Sequence, residues 1–257
     1  MPEHDTTHAA LAARLATVRA RVSTAARAAG RDPREVRILL ASKTQPADVV
    51  LAALAADADA CAADPALRPV LVGENRVQEL VAKGPALGPV APALHLIGPL
   101  QSNKVNAALR WATCVETVDS LDLARRLADR AGRPLDVLVQ VNVSGEATKH
   151  GVDPAGAVEL AVEVAALAPL RLRGFMTIGA RTPDETVVRA GYARLRALRD
   201  EVLASAAPGT QDARELSMGM SGDLEAAIAE GATVVRVGTA VFGVRPATLA
   251  EAAPTDS

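Results

Sequence analysis

The sequence predicts an α/β fold: a single (β/α)8 (TIM) barrel with an extra N-terminal helix. Three observations predict it. Eight short apolar runs rich in Val, Leu and Ile recur along the chain, a helical stretch fits between each pair, and 257 residues is near the usual size of one such barrel. The runs mostly lack polar alternation, which is how parallel strands buried on both faces read.

The elements follow in order. An amphipathic segment over residues 8–30, ending at Gly30, precedes the first run. The runs are VRILLAS (36–42), VLVGEN (70–75), ALHLIG (93–98), TCVETV (113–118), LDVLVQVNV (135–143), LRLRGFMTI (170–178), RELSMGM (214–220) and ATVVRVGTAVFG (232–243). Pro46 suits a first helical residue, where a missing N–H costs nothing, and opens a helix over 46–60. Ser120 caps a helix over 121–131, with Gly132 as a left-handed stop. Pro183 opens the longest helix, 183–204, with Val187, Val188, Tyr192, Leu195 and Leu198 near one face. Gly222 and Asp223 lead into 224–230, and Gly231 closes it. No GxGxxG or GxxxxGK[ST] fingerprint supports an open doubly wound sheet instead.

Composition narrows the function. Hydrophobic residues make up 49% and charged residues 23%, the balance of a globular chain, with disordered tails expected over 1–7 and 247–257 around one domain at 8–245. A net charge of −2 gives no electrostatic case for a nucleic-acid partner. No apolar run approaches the ~20 residues of a membrane span, so a cytoplasmic location is expected. Cys61 and Cys114 lack metal-ligand or CxxC spacing and read as small buried residues. Of 28 basic residues only Lys43, Lys83, Lys104 and Lys149 are lysines, so each invites the question of what arginine could not do. A lysine amine can be deprotonated and attack a carbonyl.

In a barrel, function gathers at the C-terminal strand ends. Strand 1 there delivers Lys43 behind an apolar run, where burial would free a nucleophilic amine, unless the side chain snorkels to solvent. Strand 8 delivers Arg236, then Gly238 and Thr239, a turn suited to phosphate. Strand 7 adds Ser217, Gly219, Ser221 and Gly222. Arg236 could donate to a ring nitrogen of a phosphate-bearing ligand or pair internally with Glu74 or Glu116. Asn75 could reach a ligand hydroxyl, and Ile97 offers an apolar wall. Ser102 and Asn103 read as helix caps, His95 as a hydrogen-bonded core residue, and Met176 and Thr177 as packing or capping groups.

The segments LLASKTQ, GENRVQE, HLIGPLQSNK, QVNVSGEATKHG, GFMTIG, LSMGMSGDLEAAI and VRVGTAVFG span residues 36–243 in order. Together they resemble the pyridoxal phosphate homeostasis protein family, single-domain relatives of the alanine racemase N-terminal barrel. The resemblance implies pyridoxal 5′-phosphate held as a Schiff base on Lys43. It implies phosphate bound by the Ser217/Ser221 loop with Gly238 and Thr239, and Arg236 facing the pyridine nitrogen. Gly222, where many members are acidic, and Val105-Asn106, where Thr-Arg is common, depart from the pattern. The implied role is sequestering and supplying the cofactor, with apo-enzymes as transient partners and no strong catalysis.

A pyridoxal-phosphate-dependent amino-acid racemase is the alternative, and a cofactor-free Schiff-base aldolase a third reading. Racemisation needs a base on each face of the substrate. The only tyrosine, Tyr192, is expected in an outer helix, and no second domain is expected after Gly243. Lys149, in a polar loop after strand 5, is either a solvated lysine or a second amine at the mouth.

Overall fold

A computed structural model describes the backbone of residues 2–146 and 148–243, with side chains from residue 8 onward. Eight parallel strands close into a barrel in sequence order, with β8 pairing back onto β1. They are β1 (Arg37–Ala41), β2 (Leu71–Glu74), β3 (Leu94–Leu96), β4 (Cys114–Val118), β5 (Leu135–Gln140), β6 (Leu170–Met176), β7 (Glu215–Met220) and β8 (Val234–Val237). Each lies within one of the eight apolar runs. Side chains facing outward, such as Leu40, Val72 and Val235, pack under the helices. Leu39, Leu71, Ile97 and Val234 form a separate cluster facing the barrel axis. Gly73 makes that inner layer possible, because a Cβ there would stand 2.3 Å from Leu39 Cδ2.

The outer ring comprises α2 (Ala47–Ala63), α3 (Val77–Leu87), α4 (Val105–Leu109), α5 (Leu121–Arg130), α6 (Ala157–Ala165), α7 (Glu185–Ala204), α8 (Leu224–Ala229) and α9 (Thr239–Phe242). The last is a single turn, too short to cover the β8–β1 seam. The extra helix α1 (Pro2–Ala28) takes its place, packing on α2, α8 and α9. Leu11, Leu15, Val18, Val22 and Ala26 recur at helical spacing and are buried by those contacts.

Several local expectations need correction. α1 begins ahead of residue 8 and, at 27 residues against 20 in α7, is the longest helix. Pro46 is the residue before α2 rather than its first, and Asp184, whose side chain accepts from the Thr186 N–H, caps α7. Gly132 is not left-handed, since α5 stops at an extended Ala131. Val187 turns outward while Val188, Tyr192, Leu195 and Leu198 are buried. Cys114 is buried, but Cys61 only partly. Residues 247–257 lie outside the described residues. Among those described, no helix is long and apolar enough to cross a membrane, and no cluster of His, Cys, Asp and Glu could hold a metal ion.

Candidate functional site at the barrel mouth

β1 ends at Ala41, and Ser42, Lys43 and Thr44 turn away over the rim. Lys43 is exposed there, so the burial expected to free its amine is absent. The buried lysine is Lys83 on α3, whose Nζ donates to the Ser42 carbonyl at 2.7 Å and to Glu74 Oε1 at 2.6 Å. Ser42 Oγ donates to the same carboxylate oxygen at 2.6 Å. Burial pushes the Glu74 carboxyl up, against the pull of Lys83 and Ser42. Its other oxygen, Oε2, is buried without a partner.

Arg236 lies inside β8, nearly sealed from solvent, and is fixed from two sides. Its Nη1 donates to Ser217 Oγ at 2.9 Å and its Nη2 to the Thr177 carbonyl at 2.7 Å. Ser217 Oγ donates in turn to Glu116 Oε2 at 2.5 Å, and His95 Nδ1 stands 2.6 Å from Glu116 Oε1. Burial alone would raise the Glu116 carboxyl. His95, Arg236 and Ser217 together outweigh it and hold the group below the ordinary carboxylate range. Neither internal salt bridge considered for Arg236 forms; its link to Glu116 runs through Ser217. Ser217 Oγ is thus engaged between Arg236 and Glu116, and Ser221, partly exposed beyond the end of β7, is the hydroxyl of that loop at the rim.

The β7–α8 loop is shaped from below. Asp223 Oδ1 accepts from the Met220 N–H at 2.6 Å, and Oδ2 accepts from the Tyr192 hydroxyl at 2.7 Å. Tyr192 is therefore a buried brace, and burial and then Asp223 push its phenol well above the ordinary range. Gly238 closes the site from the β8 side. A Cβ on it would lie 3.2 Å from the Ala41 carbonyl, so the Gly238–Thr239 turn sits against the end of β1, two residues before Lys43. Thr239 is exposed at the first position of α9.

On the other flank, Asn75 follows β2, its carbonyl pressed against Gly98, where a Cβ would come within 2.0 Å. Ile97 is buried in the axial cluster, and its N–H donates to the Glu74 carbonyl at 3.0 Å. The structure thus places Lys43, Asn75, Ser221, Gly238 and Thr239 around one rim. Arg236, Ser217 and Ile97 lie beneath it, all from the adjacent strands β7, β8, β1, β2 and β3. Lys149 is not a free loop lysine: its Nζ donates to Glu146 Oε1 at 2.6 Å and to the Gly179 carbonyl at 2.8 Å. A cavity of about 250 Å³ at the opposite end, lined by Arg19, Arg34, Val36 and Arg68, shares no residue with the mouth.

Sequence reasoning missed Lys83, Glu79 and Asp223 as parts of the site, and gave Glu74 and Glu116 only a pairing role. A carboxylate between apolar residues of a buried strand, as in LVGEN and TCVETV, is the signal that could have found the last two.

An eight-stranded barrel with an amine, a buried guanidinium and a Gly-Thr turn at one mouth defines a class. The chain matches the family described as "Alanine racemase, N-terminal domain" over residues 9–246. A pyridoxal phosphate homeostasis protein of Pseudomonas aeruginosa is 45% identical over 238 residues, covering 91% of this chain and 96% of that protein. A crystal structure of an unknown protein from Bifidobacterium adolescentis superposes with a TM-score of 0.85 at 42% identity, covering 93% and 96%. PipY of Synechococcus elongatus, solved with pyridoxal phosphate bound, gives a TM-score of 0.74 at 34% identity, covering 91% and 100%. The chain belongs to the pyridoxal phosphate homeostasis protein family.

Proposed function

We propose that this chain binds pyridoxal 5′-phosphate as a Schiff base on Lys43 and serves intracellular cofactor homeostasis, holding the reactive aldehyde and supplying it to apo-enzymes that dock transiently. The observation that carries the reading is the β8–β1 seam: the Gly238–Thr239 turn abuts the strand end bearing Lys43, directly above the buried Arg236. The donor set fits the three parts of this cofactor. An amine meets the aldehyde, a fixed guanidinium meets the pyridine nitrogen, and backbone N–H and hydroxyl groups of Gly238, Thr239 and Ser221 meet the phosphate. In this reading Asn75, just past the end of β2, serves a cofactor hydroxyl, and Ile97 of the axial cluster serves as the apolar wall. Ser217, implied at the phosphate by resemblance, accepts from Arg236, which supports a role in orienting that guanidinium.

When bound, the cofactor supplies an electron sink for amino-acid chemistry. An arginine facing the ring nitrogen works against that sink, because a guanidinium donates a proton only into a hydrogen bond and leaves the nitrogen unprotonated. The phenol of Tyr192 is tied to Asp223. A racemase tolerates such an arginine by placing a base on each face of the substrate, so it is the engagement of the one tyrosine that supports a carrier over a racemase. The working unit is a single domain over 8–245, in the cytoplasm. Borohydride reduction of the purified, cofactor-loaded protein, followed by peptide mapping, tests the assignment. The label is expected on Lys43; a label on Lys83, Lys104 or Lys149 overturns it.

A further inference from the structure

The turn bearing Lys43 is gripped on both sides by one helix. The peptide before Lys43 is held by Lys83, whose ammonium donates to the Ser42 carbonyl at 2.7 Å. The peptide after it is held by Glu79, whose Oε2 accepts from the Thr44 N–H at 3.0 Å. Glu79 and Lys83 are four residues apart on α3 and so share one face of it. Thr44 needs such a grip. Its φ is +65°, a left-handed conformation that a β-branched residue adopts only when its surroundings force it.

We propose, resting on the assignment of the Schiff base to Lys43, that Glu79 and Lys83 are positioning residues that aim the Lys43 amine. Neither touches the cofactor. Lys83 does more than neutralise Glu74: that carboxylate already accepts from Ser42 Oγ, and the ammonium spans from it to the backbone carbonyl. Glu74 is in this view the fixed post to which both Ser42 and Lys83 are tied, which accounts for a carboxylate at full burial next to the turn. Lys43, exposed and on a turn held from both sides, then has its Cα–Cβ direction set by α3 while its long side chain stays free to reach the aldehyde.

The test separates aiming from cofactor binding. Pyridoxamine 5′-phosphate keeps the ring and phosphate but has no aldehyde, so its affinity reads the pocket without the imine. Lys83→Met and Glu79→Ala are expected to form the visible-absorbing imine with pyridoxal 5′-phosphate about tenfold more slowly than the parent, with pyridoxamine 5′-phosphate affinity within about twofold of it. Lys83→Arg, which keeps the charge and the reach to Ser42, is expected to recover most of the rate. Glu79 is on the partly exposed face of α3, so its variant tests the idea even where Lys83→Met does not fold. Parent-like imine formation in Glu79→Ala overturns the proposal, as does a fall in pyridoxamine phosphate affinity that matches the loss of rate. A parent label away from Lys43 is a different failure, that of the assignment beneath it.

Discussion

At the scale of residues, the centre of the molecule is a hydrogen-bonded chain from His95 through Glu116 and Ser217 to Arg236. Every member is buried, so each depends on the next for compensation. Glu116→Gln removes the charge facing Arg236 and is expected to cost about 3 kcal/mol, measured by urea unfolding at neutral pH. The pH dependence has a definite sign. Because Glu116 is held below its ordinary value of 4.5, its contribution is complete above that value and is lost as acid protonates the folded form. Glu116→Gln is therefore expected to flatten the acid limb of stability against pH; an unchanged limb would place the acid sensitivity elsewhere. Glu74 has the opposite sign, since its raised carboxyl favours the fold at low pH and loses that benefit as pH rises through its folded value. At the rim, Thr239→Val deletes one hydroxyl from an exposed position and is expected to weaken cofactor retention by ~1.5 kcal/mol with no change in melting temperature. Equal dissociation rates for the variant and the parent would move the phosphate off this turn.

At the scale of elements, the strands were legible because burial on both faces leaves an uninterrupted apolar run, and all eight could be read that way. The position of the rim residues is legible too, since Lys43 and Ser221 stand just past the ends of such runs, and Gly238 and Thr239 break the last one with a glycine and a hydroxyl. What stayed hidden was pairing across the barrel. Nothing local in GENRVQELVAK says that Lys83 folds back onto the Ser42 carbonyl, or that Tyr192, 31 positions from Asp223, braces the β7–α8 loop. Lys43 was misjudged for a related reason: an apolar strand says where its end is, but the turn beyond it decides exposure. The brace makes a prediction at this scale. Tyr192→Phe leaves the half-buried Asp223 with one partner fewer, and is expected to cost about 1 kcal/mol and to speed cofactor loss from the adjoining loop. If hydrogen exchange at the amides of 219–223 were the same in both proteins, Tyr192 would be packing only.

At the scale of the whole molecule, the proposal that the barrel holds the cofactor and does not turn over amino acids is tested by exchange. In deuterium oxide, L- or D-alanine added to the loaded protein is expected to show little α-deuterium exchange beyond that caused by free cofactor. Exchange at even ~1 s⁻¹, the low end of ordinary turnover numbers, would make the protein an enzyme.

The seam that carries the site also sets when the site can exist. Lys43 stands on the turn after the first strand and Gly238 on the turn after the last, and α1 packs on the α9 turn that follows Gly238, with Arg14 reaching the Val241 carbonyl across 227 positions of sequence. A chain emerging from the ribosome makes α1 early and the surfaces that cover it late. Until β8 and the turn after it are delivered, the apolar stripe of α1 lacks α9, and Lys43 has no Gly238–Thr239 turn beside it. On the proposed assignment of Lys43, cofactor capture becomes a reading of completeness: a nascent or truncated chain ending before β8 is expected to offer an amine without the Gly238–Thr239 turn, and only a chain that includes that turn is expected to retain the cofactor.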